Sequence, residues 1–248
     1  MTESDFARRI VVGESADDTA RRCAEFLAAR IQELAAPDGA AHRAEPATTV
    51  TVAFSGGTTP ALLFGHLVEL VDAAAGRGES WWTSVEFLQV DERIAPDADA
   101  ARNANDLIAL LLDPTAVPAA RRHLMAVHAP NAAAAYEEVV QRIAPDGIDI
   151  VILGLGDDGH TASLVPGDEV VEERGALVAK SATYRGYERI TLTRRSIDEA
   201  GLAVWLVSGA TKADALARLI AFDDTIPAGL IRTPSQIVFA DAAAALGQ

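Results

Sequence analysis

Short apolar runs alternate with amphipathic segments along the chain. The runs are only a few residues long and rich in β-branched side chains, which is typical of strands that are buried on both faces of a parallel sheet. This pattern predicts strands at residues 48–54, 85–90, 124–127, 148–153, 189–193, 202–208 and 236–239.

The amphipathic segments predict helices between these strands. Apolar side chains recur at helical spacing through residues 17–35. Thr59 and Pro60 suit the cap and the first position of a second helix. Further helices are predicted at residues 103–112, 131–143 and 209–222. The segments at 37–47 and 95–102 are predicted to be surface loops rather than linkers between domains.

Strands that alternate with helices of this size predict an α/β fold. The expected architecture is a doubly wound, mostly parallel, Rossmann-like sheet with helices on both faces. No internal repeat and no linker interrupts residues 1–248. Because α/β folds of this size often form one unit, the whole chain is predicted to be a single domain.

Composition disfavours several classes of protein. Half of the residues are hydrophobic, yet no apolar run approaches the roughly 18 residues needed to span a bilayer. The acidic residues 1–5 lack the basic and apolar regions of a signal peptide. The single cysteine, Cys23, cannot form an internal disulfide. We therefore expect a cytoplasmic protein in which Cys23 packs in the core.

The net charge of −15 restricts the possible partners. Nucleic acids and anionic membranes bind basic surfaces, so neither is expected here. An anionic small molecule would need a local cluster of cations. Lys180 and Lys212 are the two lysines of the chain, and arginine supplies the remaining positive charge.

The most informative motif, at residues 154–166, directly follows the strand predicted at 148–153. Its glycines permit a tight turn and place His160 beside Asp157 and Asp158 at the carboxyl end of that strand. Ligands of open α/β sheets bind at this edge. We interpret the motif as a catalytic loop.

Two alternatives remain for this loop. The spacing of its three glycines also fits a dinucleotide fingerprint. However, Asp157 and Asp158 would repel a pyrophosphate, and Pro166 cuts short the helix that should follow. The plainer alternative is a structural turn in which His160 caps a helix.

Two further motifs occupy predicted strand ends. Residues 55–60, Ser-Gly-Gly-Thr-Thr-Pro, lead into a helix and suit a phosphate group, although an ordinary turn explains them equally well. The segment Asp91-Glu92-Arg93 follows the strand at 85–90. The simplest interpretation of this segment is a solvated cluster of salt bridges. If it belongs to a binding site, Arg93 could instead hold a charged oxygen, and Asp91 could orient a water or a hydroxyl.

Lys212 is predicted to lie in a first helical turn, after Ser208-Gly209. The helix dipole disfavours a cation there. A bound anion explains this position, and a chance surface location competes with that explanation.

Taken together, the motifs resemble those of the 6-phosphogluconolactonase family. The matching segments follow that family's order from residue 54 to about 212, and they are 55–60, 91–93, Asn103, 154–166, 189–193 and 208–212. The related glucosamine-6-phosphate deaminases carry an acidic residue soon after the histidine and tend to read Asp-Glu-Tyr where this chain reads Asp-Glu-Arg. Residues 161–165 contain no carboxylate, so the resemblance favours the lactonases. Val165, where the lactonases more often have Phe, is a small departure.

The resemblance implies hydrolysis of 6-phospho-D-glucono-1,5-lactone to 6-phosphogluconate in the oxidative pentose phosphate pathway, with no metal and no organic cofactor. It implies that His160 is the general base, oriented by Asp158. Asp91 would position water or sugar hydroxyls, and Arg93 would stabilise the oxyanion. The implied substrate-binding residues are Ser55, Gly56, Gly57, Thr58, Asn103, Arg189 and Lys212.

Several questions stay open at this point. Either Asp158 or Asp91 could contact His160, since that depends on side-chain directions. The chain is expected to be a monomer or a small homo-oligomer whose partner is a sugar phosphate. A deaminase-like isomerase and a non-catalytic sugar-phosphate sensor are the alternative functions, although a sensor needs no base beside its ligand.

Overall fold

The computed structural model describes residues 8–36 and 49–246. Residues 1–5 and the loop predicted at 37–47 lie outside this range, as does the first residue of the strand predicted at 48–54.

Ten strands are formed within the described residues. They are β1 (Arg8–Gly13), β2 (Val50–Phe54), β3 (Val85–Gln89), β4 (Asp91–Arg93), β5 (Arg122–His123), β6 (Ile150–Leu153), β7 (Val178–Tyr184), β8 (Tyr187–Leu192), β9 (Leu202–Val207) and β10 (Gln236–Asp241). The sequence pattern did not predict β1 and β7.

The same part of the chain forms six α-helices. They are α1 (Ala16–Ala35), α2 (Thr58–Gly76), α3 (Asn103–Leu107), α4 (Ala132–Ile143), α5 (Arg194–Asp198) and α6 (Ala213–Ile220). The helix predicted at 103–112 continues beyond α3 as a π-helical turn, Ile108–Leu112. The helix predicted at 209–222 opens as a 3₁₀ turn, Ala210–Lys212, and α5 was not predicted.

Seven strands form the main sheet in the order β1-β10-β9-β6-β2-β3-β5, and all neighbours are parallel. This confirms the predicted α/β architecture. The chain proceeds outward from β2 through β3 to β5, and outward from β6 through β9 to β10. Such a reversal between adjacent strands opens a crevice at their carboxyl ends.

Alternate residues of the buried strands pack on opposite faces of the sheet. Val52 and Phe54 contribute to a core shared with α1, α2 and α3. Ala53, between them, contributes to a second core shared with α4 and α6. Cys23 of α1 is fully buried in the first core, and burial raises the pKa of its thiol, as expected for a packing residue.

Three strands form a separate antiparallel sheet in the order β4-β8-β7. The strand predicted at 189–193 therefore exists, but as part of this second sheet. Residues 91–93 were predicted only to follow the strand at 85–90, but they form a strand of their own, in which Asp91 pairs with Thr191 and Arg93 with Arg189. Three consecutive polar side chains give no apolar alternation, so the hydrophobic pattern does not indicate this strand.

Val90 alone separates β3 of the main sheet from β4 of the second sheet. Its amide donates to the carbonyl of Phe54 at 3.0 Å, and its carbonyl accepts from the amide of Leu192 at 2.8 Å. One residue thus hydrogen-bonds to both sheets.

The strand predicted at 124–127 was wrong, because the structure pairs Arg122 and His123 with β3 instead. Beyond His123, side-chain hydrogen bonds take the place of backbone pairing between the two strands. Gln89 Oε1 accepts from the amide of Met125 at 2.7 Å, and Tyr136 Oη donates to the carbonyl of His123 at 3.1 Å.

One local expectation also needs correction. Thr59 does not cap α2, because Gly57 takes that position with φ of 120° and the helix begins at Thr58. The segment 95–102 forms neither helix nor strand, as predicted for a loop, and residues 96–98 and 100 are exposed. Its last residue, however, is buried. Arg102 is only 7% exposed, and its guanidinium lies 3.2 Å from the carboxylate of Glu92.

None of the helices described here has the length and apolarity that a membrane span requires.

Candidate active site

The carboxyl ends of β2, β3, β6 and β9 surround a cavity of about 300 Å³ at the crevice of the main sheet. Ten of the eleven predicted site residues line it. They are Ser55, Gly56, Gly57, Thr58, Asp91, Arg93, Asn103, His160, Arg189 and Lys212. The eleventh, Asp158, does not line the cavity itself but lies directly behind His160, to which it is hydrogen-bonded.

Asp158, not Asp91, is the hydrogen-bonding partner of His160. The Nδ1 atom of His160 lies 2.5 Å from Oδ1 of Asp158, and the same oxygen accepts from the His160 amide at 3.1 Å. The other carboxylate oxygen, Oδ2, accepts from the hydroxyl of Tyr184 at 2.8 Å. Both oxygens of Asp158 are therefore oriented.

These contacts determine the charge of Asp158. Partial burial by itself would raise the pKa of this carboxyl, but the hydrogen bonds from His160 and Tyr184 outweigh it and hold the pKa at about 2. An ionised carboxylate only accepts hydrogen bonds, so Nδ1 of His160 carries the proton. In the neutral imidazole, Nε2 then has the free lone pair that a general base needs.

A glycine without a side chain and two hydrogen bonds shape the loop after β6 so that Asp158 and His160 come together. A Cβ atom on Gly156 would lie 2.0 Å from Nδ1 of His160, so only glycine leaves room for the pair. The loop is closed by the amide of Gly156, which donates to the His160 carbonyl at 2.8 Å. Thr161 Oγ1 donates to the carbonyl of Gly154 at 2.9 Å.

Ser163 connects this loop to Asp91 in the second sheet. Its hydroxyl donates to Oδ2 of Asp91 at 2.6 Å, and its amide donates to Thr191 Oγ1 at 3.1 Å. On the other side, Asn103 Nδ2 donates to Oδ1 of Asp91 at 3.1 Å. The buried carboxylate of Asp91 therefore accepts hydrogen bonds from two directions. The sequence motifs did not indicate a role for Ser163.

Glu92 is a second residue whose role was missed. It is fully buried, and Oε1 accepts from the amides of Arg93 and Asn103, both at 2.8 Å. Oε2 accepts from the amide of Ala104 at 2.8 Å and lies 3.2 Å from Arg102 Nε. Glu92 thus caps α3 from a neighbouring strand and places Asn103 at the cavity. The one indication of this role in the sequence was the position of Glu92 between Asp91 and Arg93, two predicted site residues.

Two arginines lie beside Asp91. Nη1 of Arg93 donates to the carbonyl of Ala101 at 2.7 Å and also contacts Oδ1 of Asn103. Arg189 donates a long bond of 3.4 Å to the carbonyl of Tyr184, and it lies 3.9 Å from Asp91. Burial first, and then the charge of Arg93, lowers the pKa of Arg189. Among the described residues, Nε of Arg93 and of Arg189 meets no acceptor.

The glycine-rich segment 55–60 forms the opposite wall. A Cβ atom on Gly56 would lie 1.9 Å from Oδ1 of Asn103, so the backbone approaches α3 closely. Because α2 starts at Thr58, the first amides of that helix have no hydrogen-bond acceptor within the helix. They are therefore free to bind an anion. The hydroxyl of Ser55 donates to the carbonyl of Ile152 at 2.8 Å, so this proton already has an acceptor.

The turn after β9 carries Lys212 to the same cavity. Both oxygens of Asp241 accept from the amide of Gly209, at 3.1 and 3.0 Å, and hold this turn in place. Thr59 Oγ1 lies 2.7 Å from Ser208 Oγ, which joins the turn to the start of α2.

Tyr184 and Arg185 are further neighbours of the cavity that the sequence motifs did not indicate. They lie at the tip of the β7–β8 hairpin, where Arg185 and Gly186 have φ of 49° and 88°. Two positive φ values are typical of a two-residue hairpin turn. The Arg-Gly pair between Tyr184 and Tyr187 was a signal for this hairpin. Arg185 lines the cavity and bonds to Asp157 at 3.0 Å.

The charge of the cavity is opposite to that of the whole chain. Four cationic side chains line it, and Asp91 is the carboxylate among the lining residues, whereas the chain carries −15. The lining cations are Arg93, Arg185, Arg189 and Lys212. The expected local cluster of positive charge is therefore present. In the described ranges, no three His, Cys, Asp or Glu side chains are arranged to hold a metal ion.

Comparison with known proteins places the chain among related sequences. A family model described as glucosamine-6-phosphate isomerases/6-phosphogluconolactonase matches residues 14–239. The 6-phosphogluconolactonase of Haemophilus influenzae is 33% identical over 170 residues, which cover 67% of this chain and 72% of that protein. That of Rhizobium meliloti is 32% identical over 218 residues, covering 84% and 82%.

Solved structures share the fold. The 6-phosphogluconolactonase from Trypanosoma cruzi superposes with a TM-score of 0.81 at 24% identity, covering 98% of this chain and 97% of that one. The enzyme from Thermotoga maritima gives a TM-score of 0.78 at 23% identity, covering 94% and 99%. On the strength of the matched residues 14–239 and these relatives, the chain belongs to the glucosamine-6-phosphate isomerase/6-phosphogluconolactonase family.

Proposed function

We propose that this protein is a 6-phosphogluconolactonase, which hydrolyses 6-phospho-D-glucono-1,5-lactone to 6-phosphogluconate in the oxidative pentose phosphate pathway. The observation that carries the proposal is the ionised Asp158 bonded to His160 at the edge of a cation-lined cavity. The names of the relatives from H. influenzae and R. meliloti support the same reaction.

The proposed reaction begins with water bound near Nε2 of His160. His160 removes a proton as the water oxygen attacks C1 of the lactone, while Asp158 keeps the imidazole in the Nδ1–H form. The carbonyl oxygen gains negative charge, which the guanidinium of Arg93 stabilises; one well-aimed donor of this kind contributes about 3–4 kcal/mol. The intermediate then collapses, the bond from C1 to the ring oxygen breaks, and His160 returns the proton to that oxygen.

The remaining residues of the cavity bind the substrate in this proposal. The phosphate lies on the backbone of Ser55, Gly56, Gly57 and Thr58 at the start of α2, and Arg189 and Lys212 add positive charge. Asp91 and Asn103, which are bonded to each other, contact water or sugar hydroxyls. This chemistry uses a water, a base and fixed charges, and it needs no metal or organic cofactor.

The composition of the catalytic loop favours the lactonase over a deaminase-like isomerase. Ring opening and isomerisation need an additional acid or base near the sugar. Residues 161–165 contain no carboxylate, and the hydroxyl of Ser163 is already bonded to Asp91. A sensor would not need the base that His160 provides.

The test is a stopped-flow or pH-stat assay of freshly generated lactone, with spontaneous hydrolysis subtracted. We expect acceleration by the wild-type protein and a kcat about 10²–10⁴-fold lower in His160→Ala, with little change in KM. His128→Ala is the matched control, because the side chain of His128 is 55% exposed and does not line the cavity. Ammonia release from glucosamine 6-phosphate would instead support the deaminase, and binding without turnover would support the sensor.

We also propose that residues 1–248 act as one catalytic domain in the cytoplasm, as a monomer or a small homo-oligomer. The backbone bonds of Val90 to both sheets support a single unit. The single, buried Cys23 is compatible with a reducing compartment.

A further inference from the structure

We infer that Tyr184 is a positioning residue of this active site. Its hydroxyl holds one oxygen of Asp158 so that the other oxygen faces Nδ1 of His160. The inference rests on the proposed function for its kinetic readout, and on the contacts alone for its spectroscopic readout.

The hydrogen bonds form a chain across two elements. Tyr184 Oη donates to Oδ2 of Asp158 at 2.8 Å, and Oδ1 of Asp158 lies 2.5 Å from Nδ1 of His160. Asp158 and His160 lie on the loop after β6, whereas Tyr184 ends β7. Without the phenol, the carboxylate keeps contacts only within its own loop among the described residues.

The ring of Tyr184 contacts the same site. It packs edge-on against the His160 imidazole, with centroids 5.3 Å apart and planes at 66°. The guanidinium carbons of Arg185 and Arg189 lie 5.1 and 5.3 Å from the ring centroid, within the range of cation–π contacts. The backbone carbonyl of Tyr184 also accepts from Arg189. One side chain therefore touches the proposed base, its partner and a substrate-binding cation.

The backbone around Tyr184 is well suited to hold this position. Tyr184 pairs with Tyr187 across a two-residue turn, and β8 pairs onward with β4, which carries Asp91 and Arg93. The phenol is thus attached to the same sheet as those groups. Its hydroxyl joins that sheet to the His160 loop, as the bond between Ser163 and Asp91 does on the other side.

The charged groups around these contacts predict what the phenol does. Asp157, Arg185 and Arg189 face it, along with Asp158 and His160. Burial first, and then the bond to Asp158, raises the pKa of Tyr184, so the phenol stays protonated as a donor. Removing that donor leaves more negative charge on Asp158 facing the imidazole, which favours the protonated form of His160.

The test compares Tyr184→Phe with Tyr187→Phe. Phenylalanine keeps the ring in both variants, and the Tyr187 hydroxyl lies 3.4 Å or more from Asp99 and outside the cavity lining. In Tyr184→Phe we expect kcat to fall about tenfold, as for loss of one bond to a charged group, with KM within about twofold. We also expect the acid limb of the kcat profile to move to higher pH. Tyr187→Phe should match the wild type in all three.

NMR titration of His160, with its signal assigned by its absence from His160→Gln, gives a readout independent of turnover. We expect the titration of His160 to move to higher pH in Tyr184→Phe and to stay unchanged in Tyr187→Phe. An unchanged titration in folded Tyr184→Phe, or equal loss of kcat in both variants, would overturn the inference. A shifted titration in a protein that does not accelerate lactone hydrolysis would support the contact and refute the proposed function.

Discussion

The substitution Gly156→Ala tests the geometry of the Asp158–His160 pair by adding one methyl group. The added Cβ would lie 2.0 Å from Nδ1 and 2.4 Å from Cε1 of His160, and 2.5 Å from Oδ1 of Asp158. Non-bonded carbon and nitrogen atoms require more than about 3 Å, since packed atoms sit at roughly 3.5–4 Å. At least one partner must therefore move by about 1 Å, and the 2.5 Å contact between them is lost.

The expected loss follows from that displacement. A misplacement of about 1 Å costs on the order of 10²-fold in rate. We therefore expect kcat of Gly156→Ala to fall about 10²–10³-fold, close to that of His160→Ala. Stability should fall by only about 1 kcal/mol, the cost of a strained rotamer, because the atoms that must move are the ends of side chains. The φ angle at Gly156 is not positive, so alanine fits the backbone itself.

The assay is the lactone hydrolysis measurement, paired with urea unfolding followed by tryptophan fluorescence. Gly65→Ala in α2 is the control, because a Cβ there meets no atom within 4 Å and Gly65 does not line the cavity. Its kcat should stay within about twofold of the wild type. Wild-type kcat in Gly156→Ala would refute the argument that the pair depends on this glycine. An equal loss in Gly65→Ala would show that an added methyl lowers kcat without touching the pair.

Two further predictions concern stability. Glu92→Gln should lower the free energy of unfolding by about 1–3 kcal/mol. Both oxygens of the buried Glu92 accept from N–H donors, and the amide nitrogen of glutamine would leave donors such as the Ala104 amide without an acceptor. Urea unfolding beside the exposed control Glu79→Gln checks this, and a loss below about 0.5 kcal/mol contradicts it. The pKa of Asp158 is lowered to about 2, so its ionised form stabilises the fold above pH ~4, and this stabilisation is lost as the pH falls through ~2. The difference in melting temperature between the wild type and Asp158→Asn should shrink over that interval, and a difference that grows on acidification would contradict this sign.

The main sheet could be predicted from the sequence because its strands are buried on both faces. Runs such as the one at 148–153 have few polar residues, and their order along the chain alternates with helices. The second sheet could not be predicted in this way. Its strand Asp91–Arg93 is polar, and its pairing with residues 189–191 joins segments about 100 positions apart.

The candidate site was predictable at the level of motifs. Glycines, hydroxyls and charges that follow successive parallel strands must meet at one edge of the sheet. The partner of His160 was not predictable, because Asp91 and Asp158 differ in side-chain direction rather than in residue type. Tyr184 was missed for a different reason. It reaches Asp158 only through the turn of a hairpin whose first strand, β7, has no clear apolar alternation.

The shared residue Val90 has a consequence for how the protein unfolds. Its amide is bonded within the main sheet, and its carbonyl is bonded to β8 of the second sheet. Opening either sheet breaks a hydrogen bond of this residue and exposes a side chain that is fully buried. We therefore expect the two sheets to open together, because an opening that separates Asp91 and Arg93 from the His160 loop would break contacts of Val90 with both sheets.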